Sequence, residues 1–135
     1  VPVWLQESGM VESKRQWFID QFEPEGRGVG FAVLGGAFAE GIDLPGSRLI
    51  GAFVATLGLP PVDPVQEATR RRIEAQWRGR GYDYACLVPG VRKVVQAAGR
   101  VIRGEDDEGV LYLIADRFAV VQAKGLLPGW WAAHA

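Results

Sequence analysis

A mainly parallel β-sheet sandwiched by helices is the fold class this chain predicts, and two observations carry the expectation. Short runs such as Val29 to Leu34 and Leu49 to Leu57 are almost wholly apolar, the composition of strands covered on both faces. They alternate with segments whose apolar residues recur every three or four positions, and strands alternating with helices build parallel sheets. The 135 residues, 48% hydrophobic and 23% charged, suit one globular domain. A chain of this size buries roughly 70% of its unfolded surface, so a core forms without disulfides or metals.

The elements follow in order. Val1 to Gln6 reads as a short buried strand. Ser13 with Gln16 three residues later has the spacing of a capping box, opening a helix that carries Trp17, Phe18 and Phe22 inward. A turn at Glu23 to Gly28 leads into the strand Val29 to Leu34. Gly35 to Ser47 is a polar loop, and Leu49 to Leu57 is the next strand. Asp63 caps a helix with Pro64 at its first position and Gln66 at the reciprocal box position, and Val65, Thr69, Ile73 and Trp77 repeat every four residues. Gly79 and Gly81 end it. After a connector at Tyr82 to Pro89, a helix is expected from Val91 to Arg103, then an acidic turn at Glu105 to Gly109 and a buried strand at Val110 to Ala115. Phe118 to Ala135 reads as a short helix with an aromatic tail. In such sheets ligands sit beyond the carboxyl ends of the strands, which directs attention to the loop at Gly35 to Ser47 and the start of the Val91 helix.

Charge and cysteine usage narrow the function classes. Fifteen Lys and Arg against sixteen Asp and Glu leave a formal net charge of −1, so any polyanion site is local. Arg70, Arg71, Arg72, Arg78 and Arg80 form one cluster, and Arg92, Lys93, Arg100 and Arg103 form another; either meets phosphate or lines a solvated helix face. Cys86 is the only cysteine, which excludes an intrachain disulfide and a multi-thiolate metal site and suits a reducing, cytoplasmic setting. It reads as a packed hydrophobe, and His134 as a terminal residue without a catalytic role. No apolar stretch of about 18 residues and no secretory leader is seen.

On a helix from Val91 to Arg103, the residues Val91, Val94, Val95, Ala98 and Ile102 gather on one side. Arg92, Gln96, Gly99, Arg100 and Arg103 form a separate polar stripe only about 100° wide. Planar guanidinium forks hold phosphate oxygens bidentately, so such a stripe suits a phosphate chain; a surface helix whose arginines pair with Glu105, Asp106 and Asp107 is the plainer alternative. Glu40 and Asp43, three positions apart after a buried strand, serve acid/base work, a metal or a ribose, or else belong to ordinary turn chemistry before Pro45 and Gly46. No glycine-rich loop ending in Gly-Lys followed by Ser or Thr is present, so the usual triphosphate cradle is missing.

Glu40-Gly41-Ile42-Asp43-Leu44-Pro45-Gly46 resembles motif V, and Gln96-Ala97-Ala98-Gly99-Arg100-Val101-Ile102-Arg103 resembles motif VI, of superfamily 2 helicases of the DinG and xeroderma-pigmentosum-D type. The likeness extends from about Val1 to about Pro128. It implies that residues 1–135 are a partial second RecA-like motor domain, a three-layer α/β fold of the P-loop NTPase type, with the domain's first strand and helix missing before Val1. The exposed sheet position then invites self-association. In that family ATP binds between two such domains, the first holding most of the nucleotide and its Mg2+. Carried over, Arg100 and Arg103 become the catalytic phosphate contacts, and Gln96, Gly99, Glu40, Gly41 and Asp43 become nucleotide or interdomain contacts. Gly36, Ala37 and Phe38 are expected near single-stranded DNA.

The resemblance implies an ATP-dependent DNA helicase, with a role in DNA repair, in which this piece alone is inactive. Its partners are single-stranded DNA and the first RecA-like domain of the same protein, with no membrane and no metal site of its own. An iron–sulfur cluster is expected only elsewhere in the full-length protein. The competing reading is a non-catalytic, helicase-like domain that binds a protein through the arginine stripe. A flavodoxin-like ligand binder would need a cradle after the first strand, and the residues supply none.

Overall fold

The computed structural model describes residues 1–7, 9–36 and 42–131. The chain divides into two compact units, Val1–Ala52 with Gln96–Tyr112, and Phe53–Val95 with Leu113–Ala135.

In the first unit, β1 (Val3–Leu5) and β2 (Val29–Phe31) pair in parallel, with Val3 opposite Val29 and Leu5 opposite Phe31. Bonds from the Val29 N–H to the Pro2 carbonyl (2.9 Å) and from the Gln6 N–H to the Phe31 carbonyl (2.8 Å) extend the ladder. The connection between them is α1 (Glu12–Asp20), as parallel pairing requires. Phe18 and Phe22 from α1 and its end form the core with Ile42 and Leu44, and Trp4, Ile19 and Leu49 pack against it. The rings of Phe18 and Phe22 meet edge-on at 5.6 Å. Glycine is required on the inner face of β2, because a side chain at Gly30 would overlap the Phe22 ring and one at Gly28 the Trp4 ring.

Three expectations for this unit are corrected. The first helical turn closes on the Val11 carbonyl, two residues before Ser13, so Ser13 lies inside the helix. Gln16 bonds to Asp20 (2.7 Å) instead of completing a capping box. Trp17 is exposed while Phe18 and Phe22 are buried, because three bulky residues within six positions cannot all share one helix face. Finally, β1 and β2 are covered on one face only: Val3, Leu5, Val29 and Phe31 stay exposed. An all-apolar run carries no periodicity, so its composition does not distinguish one covered face from two.

The strands β3 (Gly51–Val54) and β4 (Val110–Leu113) form the second pair. The Val110 N–H bonds to the Ile50 carbonyl (3.2 Å) and the Ile114 N–H to the Val54 carbonyl (2.9 Å), the same offset in the same direction, which is a parallel register. Here too, alternate residues (Phe53, Val110, Tyr112 and Ile114) are exposed, against the expectation of strands buried on both sides.

In the second unit, α2 (Pro64–Gln76) begins as its composition dictates, with the Asp63 carboxylate accepting from the Gln66 N–H (2.8 Å) and Pro64 in the first turn. Gln66 does not reciprocate. Its side-chain amide reaches the Ala85 carbonyl at 2.6 Å. Residues 82–89, expected as a connector, are helical and contain a π-turn at Asp83–Leu87 that runs into α3 (Val88–Ala98). Pro89 has no N–H to give the Ala85 carbonyl four residues earlier, and the Gln66 amide supplies that bond. Gly90 is buried, and a side chain there would crowd Leu59. The chain continues from β4 into α4 (Asp116–Ala123), which buries Phe118 and Val121, and Trp130 and Trp131 meet edge-on at 5.9 Å.

Candidate functional site

The site lies in the first unit, where two short segments bring polar side chains together. In the first, Ile42 (4% exposed) and Leu44 (1%) are buried against Phe18 and Phe22, so the extended backbone turns Asp43 outward, its side chain 75% exposed. The short 3-10 turn Gly46–Arg48 follows, entered through Gly46 at φ 64°. Arg48 then donates from Nε to the Phe22 carbonyl (2.6 Å) and from Nη2 to the Ile19 carbonyl (3.4 Å). These carbonyls lie at the end of α1, where a cation complements the helix dipole. Arg48 was not anticipated from the sequence, and no spacing marks it, because its partners are more than 20 positions away.

The second segment leaves α3. Helical geometry stops at Ala98, and the last turn tightens, with bonds from the Arg100 N–H to Ala97 (3.0 Å) and from the Val101 N–H to Ala98 (2.9 Å). The expected single stripe along a helix from Val91 to Arg103 is therefore corrected: Arg92 and Gln96 lie exposed on α3, whereas Gly99, Arg100 and Arg103 lie beyond it. The residue that follows Ala98 is Gly99, and glycine is among the weakest helix formers; Val101 beyond it is buried in space that a side chain at Gly109 would fill.

Arg103 joins the two segments. Its Nη1 donates to Asp43 Oδ1 at 2.7 Å. Its Nε lies 3.4 Å from Asp107 Oδ2, and the same oxygen accepts from the backbone N–H of Arg103 (3.0 Å) and of Gly104 (3.2 Å). The bond to Asp43 holds the guanidinium pKa above its ordinary value, against some desolvation. The backbone donors and the adjacent Arg103 hold the Asp107 carboxyl below its ordinary range. Arg103 thus touches the Asp43 loop and the acidic turn together.

Of the other candidate residues, Arg100 is half-buried in the turn after α3. Gly36 is half-buried beyond β2, where its N–H bonds to the Val33 carbonyl (3.1 Å). Ala37, Phe38, Glu40 and Gly41 lie outside the described residues. Among the described residues, no three His, Cys, Asp or Glu side chains are grouped to hold a metal ion, and no helix is long and apolar enough to cross a membrane.

A family model described as "Helicase C-terminal domain" matches residues 2–134. The chain belongs to this family. It is 31% identical to a probable ATP-dependent helicase of Methanocaldococcus jannaschii over 93% of the chain and 21% of that protein. It is 35% identical to the ATP-dependent DNA helicase DinG of Photobacterium profundum over 61% of the chain and 12% of that protein. The chain therefore spans about a fifth or less of these relatives. The solved structure "XPD_APO" superposes with a TM-score of 0.71 at 21% identity, covering 93% of the chain and 26% of that structure. This likeness shows the RecA-like α/β fold. The domain is thus of the DinG and XPD type, and its loop at Ile42–Leu44 and its turn at Gly99–Arg103 fall within the segments that resemble motifs V and VI.

Proposed function

We propose that this helicase C-terminal domain forms one wall of an ATP site, with Arg100 and Arg103 contacting the phosphates of ATP held against a first motor domain. The observation that carries the reading is the placement of Arg103 by Asp43 and Asp107. A guanidinium has five N–H donors, and these contacts leave some of them for a phosphate oxygen. Positioning the charge in advance is what an arginine finger needs, since it stabilises charge that develops as the phosphoryl group transfers. Gln96, Gly99 and the Glu40–Asp43 loop line the nucleotide or interdomain side, and Gly36 to Phe38 lie along single-stranded DNA. The first domain supplies the phosphate loop and most of the Mg2+ ligands.

With Cys86 as its only cysteine, the chain does not fit an iron–sulfur cluster, and in this reading any cluster belongs to another part of the protein. Named relatives are ATP-dependent helicases, which supports ATP as the substrate, and a cytoplasmic DNA-repair motor is the proposed setting.

The test is turnover. The isolated chain is expected to show no ATPase, and a matching first motor domain to restore some. In the full-length protein, changing Arg100 and Arg103 to Ala should lower ATP turnover on the order of a thousandfold while DNA binding is largely kept. Unchanged turnover would sink the proposal. It would favour the non-catalytic, helicase-like domain that binds a protein through the arginines.

A further inference from the structure

The second unit carries a cluster that the ATP site does not use. Trp77 ends α2, and its carbonyl accepts the Arg80 N–H at 3.0 Å, closing a four-residue turn through Arg78 and Gly79. Gly79 sits at φ 78°, the left-handed conformation that the third position of such a turn can demand. Beyond the turn, Tyr84 meets the Trp77 ring edge-on at 6.2 Å. Both rings are about half exposed, 51% for Trp77 and 48% for Tyr84. The turn therefore sets two open aromatic surfaces beside two arginines.

The local charge is only partly paired. Glu74, three residues before the turn, accepts from the backbone N–H of Gly79 (2.6 Å) and of Gly81 (2.8 Å), so it serves as a backbone cap. Asp83 receives Lys124 Nζ on both oxygens at 2.6 Å and lies 3.8 Å from Arg80. Among the described residues, Arg78 closes no salt bridge. Five arginines face three carboxylates between residues 67 and 84, in a chain whose formal net charge is −1.

We propose that Trp77, Tyr84, Arg78 and Arg80 form a further contact for single-stranded nucleic acid. Aromatic faces take unstacked bases whatever their identity, and arginines beside them take the phosphates between, which is how sequence-tolerant single-strand sites are built. A duplex keeps its bases stacked and offers such rings nothing. The inference rests on the reading of the chain as part of a DNA motor, and it adds a strand contact that the two helicase motifs do not supply.

The experiment is fluorescence anisotropy of a labelled oligothymidylate on the full-length protein without nucleotide, titrated over salt. Trp77→Ala should weaken binding between about 5- and 100-fold, and Trp77→Phe should restore most of it. The double variant Arg78→Ala, Arg80→Ala should make the dependence of log affinity on log salt shallower by about 1.4, some 0.7 for each lost phosphate contact. Melting temperatures of the variants report whether folding is preserved, and the arginine variant keeps the test open if a Trp77 variant fails to fold. Unchanged affinity and salt slope in the variants, with wild-type binding intact, overturn this site and leave the motor reading standing. Equal loss in the Ala and Phe variants with an unchanged salt slope, or the same loss on a duplex, also overturns it. No binding by the wild type sinks the DNA-motor reading itself.

Discussion

The Ile42–Leu44 loop and the junction between α2 and α3 use their polar side chains in opposite ways. In the loop, apolar anchors do the holding, and the polar group between them faces solvent: Ile42 and Leu44 are buried while Asp43 meets Arg103 at the surface. At the junction, polar side chains themselves hold the backbone. Gln66 satisfies the carbonyl that Pro89 orphans, and Glu74 caps two glycine N–H groups. A polar group engaged with backbone is structural. One engaged only with a surface ion can exchange that ion for a ligand, because exposed pairs are weak.

The comparison breaks most visibly at its apolar anchor. Leu44→Ala should destabilise the chain by about 2–5 kcal/mol, because Leu44 is fully buried and its neighbours are aromatic rings that cannot readily close the cavity. Equilibrium denaturation measures this, and a loss well under that range would mean that Asp43 is not presented by burial of its neighbours. Next in size, Gln66→Ala leaves the Ala85 carbonyl without its partner at a part-buried position, an expected cost of about 1–3 kcal/mol. A neutral result would show that water or a shifted helix replaces the amide.

The smallest effect sharpens the contrast through pH. Glu67 bonds Arg70 (2.8 Å) and Arg71 (2.9 Å), and these bonds lower its pKa from 4.5 to about 2. Because the folded value is depressed, the stabilisation is present above about 4.5 and is lost as pH falls towards about 2. Glu67→Gln should flatten the melting-temperature profile across that window. An identical profile would show that these exposed pairs contribute nothing.

Much of this was legible in advance for local reasons. Asp63 before Pro64 caps α2 as its chemistry requires, and the alternation of apolar runs with helices gave parallel pairing in both strand pairs. The two helicase segments were legible as residue types in order. Their geometry was not: Val91 to Arg103 has a helical pattern, yet the helix stops at Ala98, directly before Gly99. Likewise Ser13 and Gln16 match a capping pattern while the helix begins before them, since the pattern records compatibility with a cap and tertiary contacts choose the register.

The sequence by itself determined which side chains are available: the caps, the turn glycines, the arginines of the second motif and the carboxylates of the first. Those are properties of a few neighbouring residues, where backbone preference and side-chain reach act without help from the rest of the chain. Only the tertiary structure decided which of them meet. Arg103 finds Asp43 across 60 positions, Gln66 finds Ala85 across 19, and Arg48 finds Phe22 across 26. Contacts at such separations form once burial of apolar groups has brought the segments together, and no local periodicity encodes them.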